Sequence, residues 1–468
     1  MSQTDRSPES DRKTDLLSQL DNLPWSSFHT SLVIALGLGW ALDSFEINII
    51  GSVLALLTKE WHLTAIQGSY AVSAWVFGIL LGALVFGYLA DRLGRKKMFL
   101  FTLFWYAGFS VLTTFAWDYP SFLALRFLTA LGVGGEYSAV TATMGEFIPK
   151  KYRGKTDSLI LAGFPLGGVL SSLVALLLVK YLPTSIAWRV GFGLGGLLAV
   201  SGLWARQVIP ESPRWLIHQG QREKAEAIVH SIEAIVAKEK LSEFSRSVMS
   251  ITLEQPPSDK SVEWQAKFNT PLRLALASAL NFSQAAIVYG MTALITLVLL
   301  PSIHIPATAM PRYVFIGNFA ALAGGILVAI ALDKWGRRSA LLFGYVLSTI
   351  GLIYLYFAGD SQQILLGYSL VQFSITWAYI AAYILTAEIL PTLIRGTGLG
   401  LSVAVGRLGA FFAPLLLTQV FSSTRDPKAA LLVLLIMVLP GPISALLWYL
   451  RGVETKNRAL ERTAGDFV

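Results

Sequence analysis

The most constraining feature of this sequence is a series of apolar runs that recurs along almost its whole length. Many of these runs reach about 20 residues, the length that an α-helix needs to cross the hydrocarbon core of a bilayer. They do not alternate with a period of two, which excludes a transmembrane β-barrel. Charged residues make up only 14% of the 468 residues, against roughly 25% in soluble domains. The sequence therefore predicts an all-α polytopic membrane protein.

Twelve candidate transmembrane helices can be placed on the chain, six on each side of one long polar stretch. Their predicted bounds are 32–57, 70–90, 98–116, 122–147, 159–181, 190–209, 272–300, 313–332, 340–358, 364–389, 398–420 and 429–450. This spacing predicts an N-terminal tail (1–28), a six-helix half (29–209), a linker with short helices (210–270), a second six-helix half (271–450) and a C-terminal tail (451–468).

The basic residues predict how the chain is oriented in the membrane. The short loops on one side carry twice as many lysines and arginines as those on the other. Both termini and the linker lie on the richer side, which is therefore predicted to be cytoplasmic. The same distribution explains the net charge of +8 without a nucleic-acid partner. Residues 1–28 lack the apolar centre and cleavage site of a signal peptide, so we expect them to remain as a cytoplasmic tail.

Residue types required for several kinds of chemistry are missing. The chain has no cysteine, which excludes disulfides, thiolate catalysis and cysteine-ligated zinc. Its five histidines show no paired metal-binding spacing, and no phosphate-binding loop is present. We therefore expect no metal, no cofactor and no ATP hydrolysis, and we expect a non-enzyme.

Two charged motifs each occur twice, separated by the same 242 residues. One follows the second and eighth predicted spans, and the other follows the fourth and tenth. The residues Asp91, Gly94, Arg95, Glu146 and Arg153 recur as Asp333, Gly336, Arg337, Glu388 and Arg395. Because two unrelated motifs keep one offset, the sequence predicts two six-helix halves in the same orientation, a parallel repeat.

With these motifs the sequence resembles the major facilitator superfamily over nearly its full length. The charged loop at 87–97 is similar to the family's signature loop between helices two and three. The segments at 210–216 and 453–456 resemble the motifs that follow helices six and twelve in sugar porters and organic-ion transporters. By resemblance, the repeated charged residues latch helices in the outward-open state, and one chain, as a monomer, holds a complete pathway. Alternatively, they only set topology and form turns.

Two further motifs resemble those of organic-acid carriers within this superfamily. The stretch from Asp43 to Glu46 is similar to the acidic pair in the first helix of bacterial aromatic-acid–proton symporters, with Glu in place of a second Asp. The segment around Arg407 is similar to helix eleven of organic-anion transporters, where an arginine faces the substrate. The first external loop, 58–69, lacks the long cysteine-rich insertion of animal relatives. The resemblance thus implies a bacterial inner-membrane protein.

Acidic residues within the predicted spans are candidates for proton coupling, because a charge at mid-bilayer costs at least ~2.5–3.5 kcal/mol and needs a partner or a task. Asp43 and Glu46 are three residues apart and so share one helix face. Their mutual repulsion favours uptake of a proton by one of them. Glu136, in a glycine-rich part of the fourth span, is a third candidate. A purely structural pairing with another helix is the alternative.

Arginines, amides and aromatic rings within the spans are candidates for substrate binding. A guanidinium matches a carboxylate in a bidentate geometry. Arg126 also offers a partner for an acid on the first helix, or extends its charge to the membrane surface. The predicted substrate-binding residues are Arg126, Asn281, Gln284, Tyr289, Trp377, Tyr379, Tyr383 and Arg407. Helix packing is an equally good explanation for the amides and rings, and the rings at 377, 379 and 383 cannot all face one cavity.

The sequence favours a secondary transporter that moves a small organic carboxylate together with protons across the lipid bilayer by alternating access. An uncoupled facilitator, or a carrier of sugars or organic cations, stays open as an alternative. A transport-like receptor or a membrane-bound enzyme also stays open, although no nucleophile–base pair supports the enzyme.

Overall fold

The computed structural model describes residues 23–149, 152, 156, 159–161, 163–207, 209–244, 270–390, 395–452 and 454–455. Within these ranges the chain is helical apart from turns and short connections, and these ranges contain no strand. Residues 1–22 and 456–468 of the predicted tails, and residues 245–269 of the predicted linker, lie outside them. The described part is therefore all-α, as the apolar runs predicted.

The first half of the chain contains six apolar helices, followed by two helices in the polar stretch. The apolar helices are α1 (Ser27–Glu60), α2 (Ala65–Leu93), α3 (Arg95–Thr113), α4 (Tyr119–Phe147), α5 (Gly163–Tyr181) and α6 (Thr184–Gln207). The helices of the polar stretch are α7 (Pro213–His218) and α8 (Arg222–Phe244). Leu216, Ala225, Val229 and Ile232 of these two helices are buried, so the linker helices pack against the rest of the protein.

The second half repeats this arrangement. Helix α9 (Thr270–Ala293) continues through a π-helical segment (Leu294–Leu299) and a final turn (Leu300–Ser302). It is followed by α10 (Met310–Trp335), α11 (Arg337–Phe357), α12 (Ser361–Ile389), α13 (Arg395–Thr424), α14 (Pro427–Val438) and α15 (Pro440–Arg451). Helices α14 and α15 together form one span, interrupted where Pro440 lacks the N–H that would continue the ladder.

Nine helical spans in the described residues are long and apolar enough to cross a membrane. Helices α3, α4 and α6 occupy the three remaining predicted spans. The protein is thus a polytopic membrane protein of about twelve transmembrane helices in two six-helix halves.

The helix ends follow local sequence signals. The Thr64 hydroxyl accepts from the backbone N–H of Gln67, whose side chain accepts from the Thr64 N–H, so α2 begins with a capping box. Asp118 caps α4 in the same way. Gly94 and Gly336 join α2 to α3 and α10 to α11 with φ of 102° and 83°, values that glycine adopts without strain.

The two halves contact each other along two pairs of helices. Helix α2 packs against α13, and α5 packs against α10. The Ser69 and Thr418 hydroxyls are 2.9 Å apart across the first pair. The Asn318 amide donates to the Gly168 carbonyl at 2.9 Å across the second. Helix α1 also approaches α9 across the halves, since a Cβ at Gly51 would lie 3.1 Å from the Thr292 methyl group.

Candidate functional site

A buried ion pair lies at the centre of the first half. The Arg126 guanidinium on α4 donates to Glu46 Oε2 on α1 at 2.9 Å and to the Glu46 backbone carbonyl at 3.0 Å. Both side chains are only 1% exposed. The Ser110 hydroxyl on α3 donates to the other carboxylate oxygen, Glu46 Oε1. Three helices therefore supply one fully enclosed, hydrogen-bonded charge pair, the arrangement that a buried charge requires.

Aromatic rings and a glycine complete the enclosure of this pair. The Arg126 guanidinium carbon lies 3.9 Å from the ring centroid of Trp75 and 4.4 Å from that of Phe192, so cation–π attraction adds to the ion pair. A Cβ at Gly195 on α6 would lie only 2.3 Å from Glu46 Oε1. A glycine is therefore needed for α6 to approach the carboxylate.

A second polar cluster lies in the second half, around Arg407. This residue is half-buried near the middle of α13 and donates from Nη1 to the Tyr289 hydroxyl on α9 at 3.1 Å. Tyr379 on α12 lies within electrostatic range of Arg407, Tyr289 and Tyr383. The rings of Tyr379 and Tyr383 are 6.2 Å apart. Three helices thus bring one guanidinium and three phenols together, the kind of donor set that binds a carboxylate.

Phe164 connects this cluster to the first half. Its ring on α5 lies 6.3 Å from that of Tyr379. Its backbone carbonyl accepts from the Ser44 hydroxyl on α1. Ser44 lies between Asp43 and Glu46 in sequence, and all three are fully buried. The predicted acidic pair and the Arg407 cluster are therefore linked through a short chain of contacts across the two halves.

Two predicted substrate-binding residues lie away from the Arg407 cluster. Trp377 is 4% exposed, donates from Nε1 to the Ala340 carbonyl at 2.9 Å and packs against Phe343. Trp377 therefore faces a different side of α12 from Tyr379. Its contacts stabilise the packing of α12 on α11. Arg126 is enclosed with Glu46, so the structure places it within the helix bundle rather than at an open surface.

The two predicted amide side chains on α9, Asn281 and Gln284, differ in how deeply they are buried. Asn281 is buried and donates to the Ala277 carbonyl of its own helix at 2.9 Å. A Cβ at Gly406 would lie 3.0 Å from the Asn281 carbonyl oxygen, so α13 passes very close here. Gln284 is half-buried. Asn281 therefore contributes to packing of α9 on α13, whereas Gln284 keeps part of its side chain accessible.

The repeated motifs build the same turn twice. In the first half, the Glu211 carboxylate accepts from the Lys96 backbone N–H at the start of α3, at 3.2 Å. In the second half, Glu454 accepts from the backbone N–H groups of Arg337 and Arg338 at the start of α11, at 2.8 and 3.1 Å. A carboxylate at a helix N-terminus accepts hydrogen bonds from backbone N–H groups that have no partner within the helix. Its negative charge also interacts favourably with the positive end of the helix dipole. Each half thus fastens its motif to the segment that follows its last helix.

In the second half, two charged residues of the repeated motifs, Arg337 and Glu388, form an ion pair. The Arg337 guanidinium donates to Glu388 Oε1 at 3.4 Å, and Thr455 donates to Glu388 Oε2. Some predicted residues have side chains outside the described part: Asp91, Arg95, Glu136, Glu146, Arg153, Asp333 and Arg395.

Several residues of these sites were not predicted from the sequence, among them Ser110, Glu211 and Glu454. Ser110 carries no sequence signal, since a serine in an apolar helix is common. Glu211 and Glu454 lie in the two motifs that follow the halves, and their separation of 243 residues nearly matches the repeat offset. That near-match was a signal for their equivalent roles. The described side chains include no group of three or more metal-binding residues.

Two six-helix halves in a parallel repeat, with buried charges inside the helix bundle, define the class: a polytopic membrane carrier. The sequence profile described as "Sugar (and other) transporter" matches residues 30–467. The chain belongs to this family of the major facilitator superfamily. This confirms the resemblance found in the sequence.

Three comparisons show the range of its relatives. The chain is 29% identical to the niacin transporter NiaP of Acinetobacter baylyi, over 96% of this chain and 99% of that protein. It is 30% identical to a probable 4-methylmuconolactone transporter of Cupriavidus pinatubonensis, over 79% and 78%. The partially occluded, inward-open xylose transporter XylE of E. coli superposes with a TM-score of 0.73 at 18% identity, over 93% of this chain and 100% of that one.

These matches cover nearly the whole chain and agree on the class. The protein is a multi-pass membrane transporter of small metabolites, with relatives in bacteria. The relatives are named as transporters, which is consistent with the expected non-enzyme.

Proposed function

We propose that this protein is a proton-coupled symporter of organic carboxylates, aromatic or other monocarboxylates, that works by alternating access in the bacterial inner membrane. Both termini face the cytoplasm, and one chain acts as a monomer. The repeated charged residues at the helix ends latch helices in the outward-open state. A carrier of sugars or organic cations, or an uncoupled facilitator, is the alternative that the experiment below distinguishes.

The observation that carries this proposal is the Arg407 cluster. A half-buried guanidinium near mid-span, beside the Tyr289 hydroxyl and within electrostatic range of Tyr379, offers directed N–H donors to a carboxylate. The Tyr379, Tyr383 and Phe164 rings offer flat apolar surfaces to the body of the substrate. Niacin, named for one relative, is a pyridine carboxylate and has both features.

Proton coupling is assigned to Glu46, with Asp43 and Glu136 as further acidic candidates. A proton on Glu46 neutralises the carboxylate and so weakens its attraction to Arg126. In this proposal Arg126 influences the protonation state of Glu46 and does not contact the substrate. The chain of contacts from Ser44 through Phe164 to Tyr379 then gives the acidic pair a physical route to the substrate cluster.

The test is uptake of radiolabelled nicotinate, benzoate and acetate into proteoliposomes, with and without an inward proton gradient. We expect gradient-stimulated uptake of an aromatic acid that is lost in Arg407→Ala. In Glu46→Gln, gradient-driven accumulation should be lost while exchange of substrate across the membrane remains. Arg312→Ala, at an exposed arginine, and Glu60→Gln, at a partly exposed acid on α1, are the matched controls.

The contrary results point to the alternatives. Uptake of an acid that is indifferent to the gradient indicates an uncoupled facilitator. No acid uptake by the wild type, with uptake of a sugar or an organic cation, overturns the carboxylate proposal.

A further inference from the structure

The Ser110 hydroxyl occupies an unusual position between two acceptors from different helices. It donates to Glu46 Oε1 on α1, and it lies 3.0 Å from the Phe192 carbonyl oxygen on α6. A hydroxyl has one hydrogen, so it serves one of these acceptors at a time. Ser110 is fully buried, so water does not compete for it.

The two oxygens of Glu46 are not equivalent. Oε2 faces the N–H donors of Arg126, whereas Oε1 faces the Ser110 hydroxyl. A hydroxyl oxygen can accept as well as donate, but a guanidinium only donates. A proton that binds Glu46 is therefore accommodated on Oε1.

We propose that Ser110 is a positioning residue that responds to the protonation state of Glu46. When Glu46 is ionised, the Ser110 hydroxyl donates to Oε1. When a proton binds Oε1, the new carboxyl O–H donates to Ser110 Oγ, and the Ser110 hydrogen turns to the Phe192 carbonyl. No covalent bond of the protein breaks, and every hydrogen in the cluster keeps an acceptor. This inference rests on the proposed coupling role of Glu46.

The change of hydrogen-bond partner at Ser110 affects α6, because the second acceptor belongs to that helix. Arg126 from α4 is the charged group paired with Glu46 among the described side chains, and Asp43 precedes Glu46 by three residues on α1. From α6, Phe192 supplies both the second acceptor and a ring against Arg126. Protonation of Glu46 thus changes the hydrogen bonding between α3 and α6. Arg126 keeps its bond to the Glu46 backbone carbonyl in both states.

The experiment is infrared titration of the substrate-free protein in lipid, following the carbonyl band of a protonated carboxyl group. The Glu46→Gln variant identifies the band that belongs to Glu46. Ser110 bonds Glu46 in both states, but its hydrogen bond to the charged carboxylate is worth about 1–1.5 kcal/mol more than a neutral one, so Ser110→Ala should raise the titration midpoint by about one pH unit. Ser110→Cys, with a weaker donor, should give a smaller rise.

Ser348→Ala is the matched control, because Ser348 is equally buried but bonds the Tyr345 carbonyl of its own helix at 2.9 Å. A midpoint that is unchanged in both Ser110 variants overturns the inference while leaving Glu46 as the proton carrier. A carboxyl spectrum that is unchanged in Glu46→Gln instead overturns the coupling role of Glu46. If Ser110→Ala does not fold, the shift in Ser110→Cys decides.

Discussion

The two halves of this transporter use an arginine inside the helix bundle in different ways. Arg126 is 1% exposed, paired with a carboxylate and covered by two rings. Arg407 is half-buried and donates to the phenol of Tyr289. In the proposed function, the guanidinium that pairs with an internal carboxylate controls the charge of that carboxylate, whereas the half-buried guanidinium beside the Tyr289 hydroxyl binds the external anion. We therefore propose that the proton site lies in the first half and the substrate site in the second.

The clearest way to test this comparison is to remove each arginine and measure stability. Arg126→Ala should lower the free energy of unfolding by about 3–5 kcal/mol, because it leaves Glu46 buried without its partner. Arg407→Ala should cost clearly less, since the site is partly open. Thermal unfolding in detergent measures both. The double variant Glu46→Gln with Arg126→Gln should recover part of the lost free energy of unfolding. Equal losses of stability in Arg126→Ala and Arg407→Ala would contradict the comparison.

Replacing Arg407 by lysine tests whether its geometry, and not only its charge, serves binding. Lysine keeps the positive charge but cannot form the planar double contact with a carboxylate. With about 1.5–3 kcal/mol for a hydrogen bond to a charged group, nicotinate binding should weaken roughly 10- to 100-fold. Equilibrium binding to the purified protein measures this. Unchanged affinity in Arg407→Lys would contradict direct contact, and Arg312→Lys is the control.

The equivalent turns of the two halves should differ in their tolerance of a side chain. A Cβ at Gly336 would lie 2.6 Å from Glu454 Oε2, whereas one at Gly94 would lie 3.1 Å from Glu211 Oε2. Both positions also have positive φ. We expect Gly336→Ala to cost about 1–3 kcal/mol and Gly94→Ala somewhat less.

Thermal unfolding of both variants checks this ranking. Gly400→Ala is the control, since no atom lies within 4 Å of a Cβ placed there. A larger loss at Gly94 than at Gly336 would show that the first-half turn is the tighter one.

The smallest expected effect is that of Tyr289→Phe. It removes one hydrogen bond to Arg407, which is worth about 0.5–1.5 kcal/mol and changes affinity by roughly 2- to 10-fold. The KM for nicotinate uptake should rise while the pH profile stays as in the wild type, because the proposed proton site is in the other half. Tyr354→Phe, at an exposed tyrosine on α11, is the control. A shifted pH profile in Tyr289→Phe would contradict the proposed separation of the proton site from the substrate site.

Much of the fold could be predicted because it depends on local properties. Apolar runs of membrane-spanning length predicted the helices, and the fixed offset between the motifs predicted two halves. The pairing of Arg126 with an acid on the first helix was among the alternatives left open. The sequence could not choose among Asp43, Glu46 and Glu136, because spacing along one helix does not say which neighbouring helix faces which side.

What the sequence by itself determined was the class of fold, the positions of the spans and the set of intramembrane charges, because each depends on hydrophobicity and repetition along the chain. Only the tertiary structure decided which side chains meet. It enclosed Arg126 with Glu46 and Ser110, turned Trp377 toward α11, and gathered Arg407 with Tyr289 and Tyr379. The physical reason is that helix rotation and packing are set by contacts between residues far apart in sequence, which no local pattern records.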